Sequence, residues 1–413
     1  MRILYVNHTG NMSGAELSLL DLLRGLPRDV EAVVACPPGP LARAVSALDL
    51  CVLPIRGTDA SLRLHPVQTT VGLLHMASGA RSISRRARRR PHVDIVHANS
   101  VRAGLVAALA LPGARAPLIV HVRDCLPDTS VARLSSRLLR GRAATIVANS
   151  RYTAERFSGG GHGRIRWVHN AVDLRRFTPH TLPRDQARDR LLIKPDVDLL
   201  AVIGQITPWK GQDDAIRILA KLRPQHPRAH LLLVGEPRFV HRSTRYDNRT
   251  YEEHLHALSK ELGVTESVTF MGHRDDVATV MRAANVVLVP SWEEPFGRSV
   301  IEAMAMETPV AATDIGGPAE IISNGVDGLL LPPRNPDAWV GALSELLSDR
   351  SRQQEMGRLS RLRVESAFAL DQHVTAMLDV YREALVTTGG GQGPSKALQD
   401  ARCLRDVASS TER

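Results

Sequence analysis

The chain has 413 residues, enough for two or three domains, and its 43% apolar share fills a sizeable core with aliphatics and alanine, since aromatics are only 4%. The net charge of +10 is nearly all arginine, because Lys194, Lys210, Lys221, Lys260 and Lys396 are the only lysines; it draws the protein to anions such as phosphates, anionic lipid head groups or nucleic acid. No apolar run reaches the roughly 18 residues of a spanning helix, "MRILYVNHTG" lacks the pattern of a signal peptide, and Cys36, Cys51, Cys125 and Cys403 form no C-x-x-C pair, so a reduced, cytoplasmic protein is expected, soluble or peripheral at the inner face of a membrane.

In chain order, "RILYVN", "EAVVAC", "LCVLPI", "DIVHAN", "PLIVHV" and "TIVANS" read as buried strands. Helical patterns such as "GAELSLLDLLRGL" separate most of them. Cys36 and Cys51 fall in these strands, where a small buried thiol is expected. Strands apolar on both faces that alternate with helices form a parallel sheet covered on both sides. A polar, proline-bearing stretch at 177–190 marks a seam. The second half repeats the grammar with "LLAVIGQI", "HLLLVGE", "SVTFMG", "NVVLVPS", "PVAATD" and "GLLLPP". The expected fold is α/β, with two doubly wound Rossmann-like domains, 1–180 and 181–370, whose parallel sheets face a central cleft. Residues 371–386 carry a helix-spaced stripe, Val374, Met377, Leu378 and Tyr381, and are expected to cross back to the first domain. The Gly- and Ser-rich tail 387–413 reads as disordered.

Open parallel sheets bind ligands at the carboxyl ends of their strands. In "EEPFGRSVIEAM" a tight turn follows the strand "NVVLVPS", and two glutamates, Glu294 and Glu302, flank it eight positions apart. The free amides at the start of the following helix form an anion site. Arg298 precedes Glu302 by four residues, so the plainer reading is a solvated surface ion pair on a capped helix. The neighbouring turns shift the balance. In "GQITPWKGQDDAI" Lys210 precedes a helix and can reach a phosphate, and "ATDIGGPAEII", "VGEP" and "MGHRDD" end further strands along the same sheet edge.

These segments resemble the retaining glycosyltransferases of the GT-B fold, glycosyltransferase family 4. The resemblance rests on "ITPWKG", "LLLVGE", "VTFMGHRDDV", "PSWEEPFGRSVIEAMAMETPVAATDIGGPAEII" and "NGVDGLLLPP", and more weakly on "SGAELSLLDLL", "DIVHANS", "IVANSRYTAERF" and "VHNAVDLRRF"; it covers roughly residues 1 to 385. It implies that the second half binds a UDP- or GDP-sugar and the first half an acceptor. Glu302 would hold the ribose hydroxyls, and Glu294 would stand beside the donor sugar. Backbone around Phe296 and Gly297 would meet sugar and phosphate, and Lys210 would neutralise the diphosphate. Gly14 would let the first domain's backbone approach the diphosphate, and His273 and Arg274 would lie near the base. The resemblance also implies retention without a metal or other cofactor. Two positions depart from the pattern. Gln205 replaces an arginine at the diphosphate, where a nearby arginine can compensate. Arg123, followed by Asp124, replaces a histidine at the sugar, and is counted with Lys210 and Glu294 among the catalytic candidates.

His8, His97, His121 and His169 lie near strand ends without metal-ligand spacing, and read as polar lining of an acceptor cleft. "RSISRRARRR" at 81–90 is either a solvated helix face or, with Val67, Val71 and Leu74 upstream, a peripheral contact with an anionic membrane; "ARLSSRLLRGR" is a second basic stretch. Aromatic interleaving is missing, which disfavours nucleic acid. The partners expected are therefore a nucleotide-sugar donor and an acceptor that is a glycan, a lipid-linked glycan or a small molecule. The competing readings are an epimerase or phosphorylase on the same plan, and a non-catalytic basic binding protein.

Overall fold

The computed structural model describes residues 1–57, 76–86, 92–110, 116–158, 165–238 and 246–388. Two parallel sheets organise them. The first contains β1 (Arg2–Val6), β2 (Glu31–Cys36), β3 (Cys51–Pro54), β4 (Ile95–Ala98), β5 (Leu118–Val122), β6 (Thr145–Ala148) and β7 (Ile165–Trp167), in the order β3-β2-β1-β4-β5-β6-β7. The second contains β8 (Asp198–Ile203), β9 (Ala229–Val234), β10 (Val268–Gly272), β11 (Val286–Val289), β12 (Val310–Thr313) and β13 (Leu329–Leu331), in the order β10-β9-β8-β11-β12-β13. The strand order thus reverses beside β1 in one sheet and beside β8 in the other. At such switch points the loops at the strand ends splay apart and leave a crevice.

The strands are apolar throughout because both faces of each sheet are covered. In β1, Leu4 and Val6 pack with Val96, Val120 and Ile146 on one side, while Ile3 and Tyr5 pack with Leu19, Leu22 and Val34 on the other. Register holds these layers together: Leu4 sits opposite both Val33 and Val96. In the second sheet, Leu200 and Val202 face Ile216 and Leu219, and Leu199 and Ala201 face Val280 and Ile301.

The helix Leu370–Thr388 packs on the helix Gly14–Gly25 and joins the first domain's core through Val374, Met377, Leu378 and Tyr381. Burying such side chains contributes about 1.5–3 kcal/mol each, which ties the end of the described chain to its beginning.

The expected strands all form, and three readings are corrected. β7 was absent from the expectation, because Ile165–Trp167 is a short edge strand with Arg166 and Trp167 exposed, so it lacks an apolar run. Cys51 is exposed because β3 is the opposite edge strand, whereas Cys36 in β2 is buried. His97 and His121 do not line a cleft. They point into the core, where His97 Nδ1 lies 2.7 Å from the Tyr381 hydroxyl and the two imidazoles lie 5.5 Å apart, because the C-terminal helix covers that face. Of the basic run 81–90, residues 81–86 are helical with Arg81 and Arg85 exposed; 87–90, like Val67, Val71, Leu74 and the tail from 389, lie outside the described residues. Among the described residues no helix is long and apolar enough to cross a membrane.

Candidate active site

The loops leaving β8 and β11, the two strands at the second sheet's switch point, are bonded to each other. Trp292 N donates to Trp209 O at 2.8 Å. Gly211, at φ +70°, lets the first loop pass beneath the second: a β-carbon there would stand 2.1 Å from Pro290 O. The side chains meet as well. Lys210 Nζ lies 2.5 Å from Glu294 Oε2, Ser291 Oγ donates to the same oxygen at 3.0 Å, and the ammonium sits 4.3 Å from the centre of the Trp209 ring. Glu294 is buried and Lys210 largely so. A third loop locks the turn from behind, where Gly317 N donates to Glu294 O at 2.8 Å. Gly316, at φ +81°, would clash with Glu294 O if it carried a β-carbon.

The Pro295–Gly297 turn feeds the helix Arg298–Ala305, with Gly297 at φ +98° as its N-cap. Phe296 is buried against His169 and Phe368, so its backbone rather than its ring is offered to a ligand. The expected surface pair of Arg298 and Glu302 forms at 2.9 Å, but it is buried, and Asp21 of the first domain joins it at 2.9 Å. Burial raises the Glu302 carboxyl above its usual range and Arg298 opposes the rise; burial also works against the Arg298 charge, but Glu302 and Asp21 outweigh it.

The first domain presents the N-terminus of the helix Gly14–Gly25, and a buried polar chain fixes it. Arg123 Nε donates to Asn99 Oδ1 at 2.9 Å, Asn99 Nδ2 to Asn7 Oδ1 at 3.0 Å, and Asn7 Nδ2 to Glu16 Oε1 at 3.0 Å; Ser13 Oγ completes the chain on Glu16. Arg123 Nη1 donates to Asn170 Oδ1 at 2.7 Å, and its Nη2 has no partner among the described residues. Burial lowers this guanidinium to about 10, while Glu16 supports its charge. Asp124 stands exposed in the cleft. Crowding by the protein raises its carboxyl, Arg102, Arg123 and Lys210 oppose the rise, and Glu294 adds to it.

The remaining expected residues lie around Arg238. Gln205 is neutral, and its amide donates to Arg238 O at 3.3 Å. Arg238 extends from the loop after β9; it donates to Met12 O of the first domain and lies 3.2 Å from His273 Nδ1. His273 is exposed, whereas Arg274 is held by both oxygens of Asp276 at 2.8 and 2.7 Å. Lys210, Glu294, Phe296, Gly297, Glu302 and Gly14 are thus brought together; Gln205 and His273 flank them around Arg238, and Arg274 is turned to its own loop.

Across the same gap Ser150 Oγ donates to Pro295 O at 2.5 Å and Tyr152 OH to Glu293 Oε1 at 2.9 Å. Glu320 accepts the amides of Arg151 and Tyr152 at 2.9 and 2.7 Å and pairs with His169 at 2.9 Å. Burial acts to raise Glu320, but these hydrogen bonds prevail and hold it low. Asp21, Ser291, Arg238 and Glu320 escaped the reading of the sequence. The site partners of Asp21, Arg238 and Glu320 are long-range, whereas Ser291 bonds Glu294 three positions on; only "GGPAE", opening a helix at the site, carried a local signal for Glu320. Among the described residues no group of three or more His, Cys, Asp and Glu side chains is arranged to hold a metal ion.

The comparisons with known proteins agree with this fold. The family model described as Glycosyl transferases group 1 matches residues 183–363, and the model Glycosyltransferase Family 4 matches residues 12–176. The D-inositol 3-phosphate glycosyltransferase of Salinispora arenicola is 29% identical over 94% of this chain and 88% of its own length. The protein of the same name from Mycolicibacterium gilvum is 31% identical over 71% of this chain and 67% of its own. The structure of Anabaena HepE in complex with UDP-glucose superposes with a TM-score of 0.79 at 25% identity, over 92% of this chain and all of that one. A Rickettsia africae glycosyltransferase shares the fold at a TM-score of 0.76 and 20% identity, over 93% of this chain and 98% of that one. The chain therefore belongs to the GT-B fold glycosyltransferases of family 4.

Proposed function

We propose that this glycosyltransferase is cytoplasmic, retaining and metal-independent, and that it moves a sugar from a UDP- or GDP-sugar to a hydroxyl of a glycan, a lipid-linked glycan or a small-molecule glycoside. One observation carries the reading: the Lys210 and Glu294 pair stands at the switch point, beside a helix N-terminus whose first turns bear Glu302. A leaving diphosphate gains negative charge in the transition state. Lys210 and the helix amides oppose that charge where it forms. Glu302 accepts the ribose hydroxyls, and Glu294, oriented by Lys210 and Ser291, accepts hydroxyls of the donor sugar. His273 and Gln205 flank the base and the diphosphate. Arg123 fixes the first domain's loop at Gly14 and turns its remaining amino group, Nη2, to the sugar. The acceptor hydroxyl attacks the anomeric carbon on the face the phosphate leaves. Its proton passes to the departing phosphate oxygen, so the protein supplies no nucleophile.

The D-inositol 3-phosphate in the relatives' name is a compact anionic polyol. Arg102 and Arg123 beside Asp124 favour such a small-molecule acceptor. Peripheral contact with an anionic membrane belongs to the same proposal. On the helix Ser130–Arg142, Leu134 and Leu138 are exposed next to Arg133 and Arg137, a face suited to an anionic surface.

The test is a panel of UDP- and GDP-sugars with inositol phosphate and simple glycoside acceptors, in the presence of EDTA. Mass spectrometry reads the product and NMR its anomeric configuration. We expect one donor to be consumed without metal and the product to keep the donor's configuration. Consumption of none, or an inverted product, would overturn the proposal.

A further inference from the structure

We propose that Arg298 is the second cation of the diphosphate site, held by two carboxylates until a donor arrives. The inference rests on the donor reading above and assigns to it a residue that that reading does not use.

Arg298 opens the helix Arg298–Ala305, and its side chain crosses to the other domain. Its Nη1 donates to Ser18 Oγ at 3.0 Å and to Asp21 Oδ2 at 2.9 Å; its Nη2 donates to Glu302 Oε1 at 2.9 Å. The stem passes Gly14, where a β-carbon would stand 3.7 Å from Arg298 Cδ. The guanidinium thus lies in the gap between two helices that both begin at the cleft. Their free amides already favour an anion there, so a cation in that gap needs compensation, and Asp21 and Glu302 provide it.

Lys210 is paired with Glu294, Arg274 with Asp276 and Arg238 with Glu236, and Arg123 bonds Asn99 and Asn170 through Nε and Nη1, while Gln205 carries no charge. A diphosphate brings more than one negative charge, which a single paired lysine does not balance. The donor itself supplies the release. Ribose hydroxyls that engage Glu302 Oε1 compete with Arg298 Nη2 for that oxygen. A buried guanidinium left half-paired is costly, and a phosphate oxygen in the same gap restores a charge-assisted fork. Ribose and diphosphate are then recognised together, each making the other's contact more favourable.

Calorimetry on the full chain with UDP and UMP, and in parallel GDP and GMP, tests the assignment. For the diphosphate that the wild type binds, Arg298→Met is expected to lower affinity about 10- to 100-fold while changing the monophosphate by less than about threefold. Arg298→Lys should recover part of the loss. Asp21→Asn, which removes a counter-charge and keeps the cation, should leave diphosphate affinity undiminished. Equal losses for mono- and diphosphate in Arg298→Met, or no loss for either, would overturn the assignment. So would an Asp21→Asn variant as weak as Arg298→Met, because the pair would then be only a strut between domains. If Arg298→Met does not fold, Arg298→Lys and Asp21→Asn carry the same comparison. A wild type that binds neither UDP nor GDP would instead defeat the donor reading itself.

Discussion

Lys210 Nζ and Glu294 Oε2 lie 2.5 Å apart, joining the loop after β8 to the loop after β11. The pair is largely buried, so each member is needed to compensate the other, and the site's chemistry and its stability are coupled. Removing the ammonium leaves a buried carboxylate that, among the described residues, only Ser291 supports by a side-chain hydrogen bond. Lys210→Met is expected to cost about 2–4 kcal/mol of stability, read by denaturant titration. The double variant Lys210→Met, Glu294→Gln should recover most of that. Turnover should not recover: loss of the cation should lower kcat about 100- to 1,000-fold in both variants.

In the proposed function Glu302 and the exposed Arg85 have different tasks. Glu302→Ala removes the proposed ribose acceptor and should weaken donor binding in calorimetry by about 10- to 100-fold. Arg85, exposed on the first domain, should leave donor affinity unchanged when replaced by alanine. Equal effects would contradict the division of the chain into donor and acceptor halves.

The interdomain ties at Glu320 should set how the cleft opens. Glu320→Ala removes the acceptor of the Arg151 and Tyr152 amides and of His169. We expect a loss of about 1–3 kcal/mol and a larger radius of gyration in small-angle scattering. Saturating donor should restore the compact form by closure.

Acid should unfold the first domain's core from pH values not far below neutral. Burial pushes His373 down to about 4 and His8 to about 3, and lowers His97 and His121 strongly. These imidazoles are neutral when folded and ordinary when unfolded. The unfolded chain therefore binds more protons below about pH 6.5. Their contribution is complete above that pH and falls as pH drops towards 4. Between pH 7 and 5 the loss is about 2 kcal/mol for His373 alone. His373→Phe, which keeps the packing, should flatten the melting temperature over that range; the same slope in both proteins would contradict the assignment.

Both sheets were legible in the sequence because parallel strands covered on two faces read as unbroken apolar runs. β7 was not, since an edge strand needs no apolar face. The turn between Glu294 and Glu302 was legible because helix entry after a strand leaves a local signature in Pro295 and Gly297. The burial of Arg298 was invisible, because its second carboxylate, Asp21, is 277 positions away. His97 and His121 misled for the same reason: the helix that covers them comes at the far end of the fold, and a histidine near a strand end looks like a cleft residue until that helix is placed.

The central claim is that the second domain grips the donor between Lys210, the helix opening at Arg298, and Glu302. A crystal structure with a bound UDP- or GDP-sugar tests it most directly. The diphosphate should lie within hydrogen-bond reach of Lys210 Nζ and the amides at the start of that helix, with the ribose hydroxyls on Glu302. A sugar nucleotide bound elsewhere, with the Lys210 and Glu294 pair undisturbed and unliganded, would contradict the account.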